Sequence, residues 1–236
     1  MNKLIKPVLA GACVATLSLP VLAEVSGNVA ITSDYRFRGI SQNDQAVAIQ
    51  GGFDFEDESG FYAGVWASSV DFQITTVDDA TAEMDIYAGY GGEFGDSGIG
   101  YDVNILHFAY PNSEGTLNYD FTELTVGVSY EIFSFSISRT SDYFAGSGEG
   151  TYYNLSAEYP FDDDWTVSAS IGQQDVEDNL AWGTPNWRDY KVAISGSLGS
   201  LDAEIAYIDT DLSEAECFGG SDWCDATVTF TLSKSL

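Results

Sequence analysis

The chain has 236 residues, 44% of them hydrophobic, with 37 acidic residues against eight basic ones and a formal net charge of −29. That length admits one all-β domain or two small domains, and so acidic a chain repels nucleic acid and other polyanions while it attracts cations. Aromatic content of 14% and a regular alternation of apolar and polar residues argue against disorder.

Residues 1–23 read as a secretory signal peptide. Lys3 and Lys6 form a positive n-region, Val8–Leu19 is apolar, and Val21-Leu22-Ala23 is a small-residue cleavage site before Glu24. A lipoprotein signal at Cys13 is not favoured, because Ala10-Gly11-Ala12 lacks the usual leucine. Once 1–23 is removed, 37 acidic residues face six basic ones, a net charge of −31. No later stretch offers the roughly eighteen consecutive apolar residues that a spanning helix needs.

From Ser26 on, apolar and polar residues alternate with the period of a strand, which places them on opposite faces. In the first run Val29, Ile31, Tyr35 and Phe37 share one parity, and Asn28, Thr32, Asp34, Arg36 and Arg38 the other. Val47, Ile49, Phe53 and Phe55 follow against Gln50, Asp54 and Glu56; then Tyr62, Trp66, Val70 and Phe72 against Ser69 and Asp71. The pattern recurs to the C-terminus, where Val228, Phe230 and Leu232 oppose Thr227, Thr229 and Thr231. This makes about twelve strands, each near the ten residues with which a tilted strand crosses a bilayer.

The connections alternate in length. Tight turns are expected at Asp57–Gly60, Gly95–Gly98, Ile132–Phe133, Phe161–Asp164 and Gly199–Ser200. Longer polar links are expected at Asp71–Ala82, Pro111–Tyr119, Asp142–Gly150, Asp175–Trp187 and Asp209–Asp222, while the first outer link, Gly39–Asp44, is only moderately long. Aromatic residues such as Phe55, Phe94, Tyr110, Tyr159 and Trp165 gather near strand ends, as in interfacial girdles. The expected fold is therefore all-β: a transmembrane, antiparallel, up-and-down β-barrel over residues 24–236, with short periplasmic turns and longer extracellular loops. A soluble barrel with an aromatic core is the alternative.

The block SGNVAITSDYRFRGISQNDQAVAIQGGFDFEDESGFYAGVWASSVDF, residues 26–72, resembles the opening of the TorF-type porin family of Gram-negative outer membranes, and the ending VTFTLSKSL resembles that family's last strand. The resemblance implies an outer-membrane barrel of porin function, made with the outer-membrane assembly machinery and embedded in outer-membrane lipid. The chain departs from the usual terminal Phe of such strands by ending in Leu236.

By parity the lumen holds Asp34, Asp54, Glu56, Asp71, Glu83, Asp85, Asp102, Glu123, Glu131, Glu158, Asp202 and Glu204 against Arg36, Arg38 and Lys191. Carboxylates on a confined wall concentrate cations and exclude anions. This predicts a narrow pore that passes small cationic or polar solutes by diffusion. The alternative is a plugged, non-conducting scaffold or surface-binding barrel in which those charges pair. Arg36 and Arg38 would form a constriction or an ion-pair ladder that fixes strand register. Cys217 and Cys224 are expected to form a disulfide in the last outer loop, as befits an exported chain.

The outer loops are acidic at Asp78, Asp79, Asp175, Glu177, Asp178, Asp209, Asp211, Glu214, Glu216 and Asp222. No calcium-loop spacing occurs among them, so no metal site and no cofactor are predicted. A barrel-borne lipid hydrolase would need a Ser–His pair, with His107 near Ser141 or Ser113, and the sequence has no nucleophile-elbow motif. The chain is read as a non-enzyme and a monomer.

Overall fold

The structure is a computed structural model that describes residues 24–72, 80–111, 113 and 118–236. The predicted signal peptide, Asp78 and Asp79 lie outside the described residues. Twelve antiparallel strands close into a barrel: β1 (Glu24–Thr32), β4 (Ala48–Glu56), β5 (Phe61–Ser69), β6 (Ala82–Glu93), β7 (Ile99–Ala109), β8 (Phe121–Tyr130), β9 (Phe133–Thr140), β10 (Gly150–Pro160), β11 (Trp165–Val176), β12 (Trp187–Leu198), β13 (Leu201–Thr210) and β14 (Thr227–Ser235). Each wall strand pairs with its neighbour in sequence, and β1 closes the ring against β14, with Ile31 opposite Leu232. A two-stranded hairpin, β2 (Arg36–Phe37) and β3 (Ile40–Ser41), stands apart from the wall. The one α-helix among the described residues is the single turn α1 (Asn179–Trp182).

Alternation sets the two faces of the wall. On β8, Leu124, Val126 and Val128 point out and are about half exposed, while Glu123 points in and is 2% exposed. Val25, Ile49 and Phe53 are likewise exposed on the outside. Apolar faces lie outward and polar faces inward, the reverse of a soluble sandwich. The short connections, 57–60, 94–98, 131–132, 161–164 and 199–200, all lie at one end of the barrel, and the long ones at the other.

Within the wall and its short turns the sequence pattern slips in two places. On β5, Tyr62 pairs with Glu56 and Trp66 with Gly52, so both rings face the lumen, and Phe61, Ala63, Val65 and Ala67 form the outer face. Two bulky aromatics on the polar parity mimic an apolar face when the outer residues are alanines. Glu131, placed in the lumen by alternation, sits instead in the two-residue β8–β9 turn with φ 52° and is exposed. A hairpin this tight needs a left-handed residue, so the period stops at Tyr130 and restarts at Phe133.

The buried apolar core sits inside the barrel at the long-loop end. Ile40, Phe72, Phe108, Tyr110, Tyr119, Phe121, Tyr143, Phe144 and Trp187 pack there, with Trp182 and Phe218 against them. The loops supply many of these rings. Asp178 caps α1 by accepting from the N–H groups of Leu180 and Ala181, and Gly183 closes it at φ 102°. That turn sets Trp182 parallel to Trp187, with ring centroids 6.1 Å apart. Cys217 and Cys224 are disulfide-bonded in the loop between β13 and β14.

Candidate pore constriction

The wall strand β1 ends at Thr32, and the chain then turns into the lumen. Alternation predicts that Asp34, Arg36 and Arg38 continue the wall; they belong instead to the inserted segment 33–47. The reason is the Arg38-Gly39 pair. Both residues have positive φ, 50° and 84°, which makes a two-residue turn between β2 and β3. Gly39 is required for a second reason. A Cβ there would stand 2.5 Å from the Thr210 Cγ2 atom and 2.9 Å from the Asp189 Cβ atom, on β13 and β12.

Two arginines hold the hairpin in place, each at a different level. Arg36 pairs with Asp34 at 2.5 Å, both buried, and donates to the carbonyls of Gly39, Trp223 and Asp225. It so fastens the hairpin to the disulfide-bearing loop. Ser41 donates to the other Asp34 oxygen at 2.7 Å. Arg38, at the apex, reaches the far wall. Its Nη2 is 2.5 Å from Glu123 Oε2 on β8, its Nη1 donates to Gln174 Oε1 on β11 at 2.6 Å, and its guanidinium lies 4.2 Å from the Tyr152 ring centroid on β10. In the strand order, β8 and β10 flank β9, the strand diametrically opposite β1. The hairpin thus crosses the lumen.

Other contacts complete the crossing. Trp187 Nε1 donates to the Arg38 carbonyl at 2.9 Å. Tyr35 and Tyr110 both donate to Glu83, one to each oxygen, at 2.9 Å, and Tyr35 packs edge-on against Trp66. Burial raises the Tyr35 and Tyr110 hydroxyls well above their ordinary value, with the Glu83 charge adding to it, so both remain donors. Burial works to lower the Arg38 guanidinium, but the Glu123 carboxylate outweighs it, and its pKa stands above the ordinary value.

Below the hairpin the lumen is polar. Tyr87 donates to Asp54, and Tyr62 donates to Asp102 at 2.7 Å. Lys191 pairs with Glu204 at 2.8 Å. Asp85 is buried near Glu83 and Glu123, and Glu56 lies exposed at the short-turn rim. Of the predicted lumen charges, the structure brings Arg38, Glu83, Asp85 and Glu123 together at the inserted hairpin. It leaves Asp54, Asp102, Lys191 and Glu204 below it and puts Glu131 outside. Gln174, Tyr152 and Trp187 were not foreseen, because polar or aromatic side chains on an inward parity look like ordinary wall; the sign that could have found them is the Arg-Gly turn pair, which announces a hairpin where alternation announces a strand.

His107 sits on the outer face, its Nδ1 2.9 Å from Thr122 Oγ1, while the Ser113 hydroxyl donates to the Tyr110 carbonyl. The Ser113–His107 pairing of a hydrolase is not assembled.

Residues 20–236 match the family described as a bacterial protein of unknown function, Gcw_chp. The chain belongs to the Gcw_chp family. No curated protein matches it in sequence. Its fold is similar to that of the KdgM porin, with TM-score 0.53 and 10% identity over 90% of this chain and 98% of that one. A KdgM porin in complex with disordered oligogalacturonate gives 0.54 and 8% identity over 90% and 98% of the two chains. The NanC porin gives 0.54 and 10% over 88% and 97%, and an outer membrane channel from Pseudomonas putida F1 gives 0.53 and 8% over 92% and 96%. At such identities the likeness is one of fold, and the Gcw_chp chain shares with these proteins a closed antiparallel barrel.

Proposed function

We propose that this Gcw_chp protein is an outer-membrane, porin-like channel that passes small cationic or polar solutes by diffusion, and that residues 1–23 direct its export. The observation that carries the reading is the inverted barrel: an apolar wall exposed on the outside around a charged, hydrogen-bonded interior. The fold shared with porins and the resemblance of residues 26–72 to TorF-type porins support the same reading. The interior count supports cation preference. Asp54, Glu83, Asp85, Asp102, Glu123 and Glu204 face inward against Arg38 and Lys191. Such an interior repels a polyanion of the oligogalacturonate kind and draws in cations. Serines 134, 136, 156, 168 and 170 line the wall formed by β9, β10 and β11 and offer hydroxyls to polar solutes.

The crossing hairpin favours a second reading, a closed barrel that serves as a scaffold. Single-channel recording of the refolded protein in a planar bilayer under a salt gradient separates the two. Discrete steps with a cation-shifted reversal potential are expected. An anion-shifted potential would overturn the selectivity, and a folded protein without steps would favour the scaffold.

A further inference from the structure

Arg38 occupies a site that is built for a guanidinium. Its two terminal nitrogens are held by two oxygens from different strands, the Glu123 carboxylate at 2.5 Å and the Gln174 amide oxygen at 2.6 Å. Its guanidinium carbon lies over two rings, 4.2 Å from the Tyr152 centroid and 4.6 Å from that of Phe37. Glu123 and Gln174 are buried, at 2% and 0% exposure, so the site excludes water. Among the described residues the second oxygen of Glu123 has no hydrogen-bond partner, which leaves the carboxylate with capacity for a further donor. The ligand is presented by a strained residue, φ 50°, at the tip of a hairpin that is not part of the wall.

We propose that Glu123, Gln174 and Tyr152 form a recognition site for guanidinium-bearing solutes, and that Arg38 fills it in cis. The proposal rests on the channel reading for its biological use but not for its chemistry. Two N–H donors in a plane, with aromatic rings within cation–π reach, match a guanidinium. A metal cation has no N–H groups to give, and a tetraalkylammonium has neither N–H groups nor a flat face. The site lies where the hairpin crosses the lumen.

The test is chemical rescue. Arg38→Ala vacates the site, and millimolar methylguanidinium is added to the refolded, full-length barrel, with tetramethylammonium at equal ionic strength as control. Two readouts are taken: the temperature at which the heat-modifiable barrel unfolds, and bilayer conductance. Methylguanidinium is expected to raise the unfolding temperature of Arg38→Ala and to reduce its conductance at concentrations about tenfold below any effect of tetramethylammonium. The double variant Arg38→Ala/Glu123→Gln is expected to lose the response, and the wild type, whose site is full, to show none. Selective stabilisation without any conductance in any variant would uphold the site and overturn the channel. Conductance in Arg38→Ala with equal responses to both cations, in both readouts, would overturn the site and leave the channel standing. If Arg38→Ala refolds poorly, its refolding yield becomes the readout: recovery by methylguanidinium alone upholds the proposal, and no difference between the cations overturns it.

Discussion

Gly39 and Arg36 do opposite kinds of work in the same hairpin. Gly39 supplies a backbone conformation that a side chain resists and a gap that a Cβ would fill between Thr210 and Asp189. Gly39→Ala is expected to cost about 1–3 kcal/mol from the left-handed conformation alone. The loss appears as a lower unfolding temperature and freer access of protease to residues 33–47. Arg36 supplies charge where water is absent. Arg36→Met leaves the Asp34 carboxylate buried without its partner, at a cost of roughly 3–5 kcal/mol. The double variant Arg36→Met/Asp34→Asn is expected to recover most of that in the same denaturation measurement. Neither role was visible from parity. Alternation assigns Asp34, Arg36 and Arg38 to one face of a strand, and the Arg38-Gly39 turn moves all three off the wall. The structure turns Asp54, Glu83, Asp85, Asp102 and Glu123 inward, because one residue in two must face the lumen once the barrel closes.

The elements at the long-loop end act as one cap. The loop between β13 and β14 is stapled by Cys217–Cys224 and tied to the hairpin through the Trp223 and Asp225 carbonyls that Arg36 holds. Replacing both cysteines by serine is expected to cost about 2–3 kcal/mol of loop-closure entropy and to loosen the hairpin. A rise in hydrogen exchange at Arg36–Ser41 that leaves β8–β11 unchanged is the sign to look for. The same loop begins with a reciprocal cap, in which Ser213 and Glu216 bond each other's side chains and backbone. The Ser213 hydroxyl and N–H hold the Glu216 carboxyl below its ordinary value. A depressed carboxylate stabilises fully above its unfolded pKa, and the contribution fades as pH falls through the lowered one. Acidification is therefore expected to fray residues 211–217, and Glu216→Gln to remove that pH dependence, both read by exchange at the Cys217 amide. The cap was only half legible. Its loops announce themselves by length and polarity, but Phe144, Trp182 and Phe218 are scattered singly in sequence and become a core only when the barrel brings its loops together.

For the whole molecule, the outward apolar wall makes a claim about surroundings. Val126, mid-strand and half exposed, faces out from β8. Val126→Arg is expected to cost about 2–4 kcal/mol in a bilayer, and Ser136→Arg, on the inward face of β9, far less. Equal costs in lipid vesicles would count against a membrane-embedded wall. The twelve-stranded closure and its alternation of short and long connections were the most legible features, because period two and turn chemistry are local. The hairpin's course across the lumen is set by contacts more than a hundred residues apart, such as Arg38 with Gln174 and Arg36 with Trp223. Stacked Trp182 and Trp187 have a further consequence. Three of the five tryptophans, 182, 187 and 223, lie at the long-loop end with the disulfide, Trp187 as the first residue of β12, while Trp66 and Trp165 lie elsewhere in the wall. Two nearly parallel indoles, with centroids 6.1 Å apart, couple their electronic transitions. The protein therefore carries its own optical label for the cap: near-ultraviolet circular dichroism follows the packing of those rings, far-ultraviolet follows the strands, and a molecule whose cap loosens while its barrel holds loses the first signal and keeps the second.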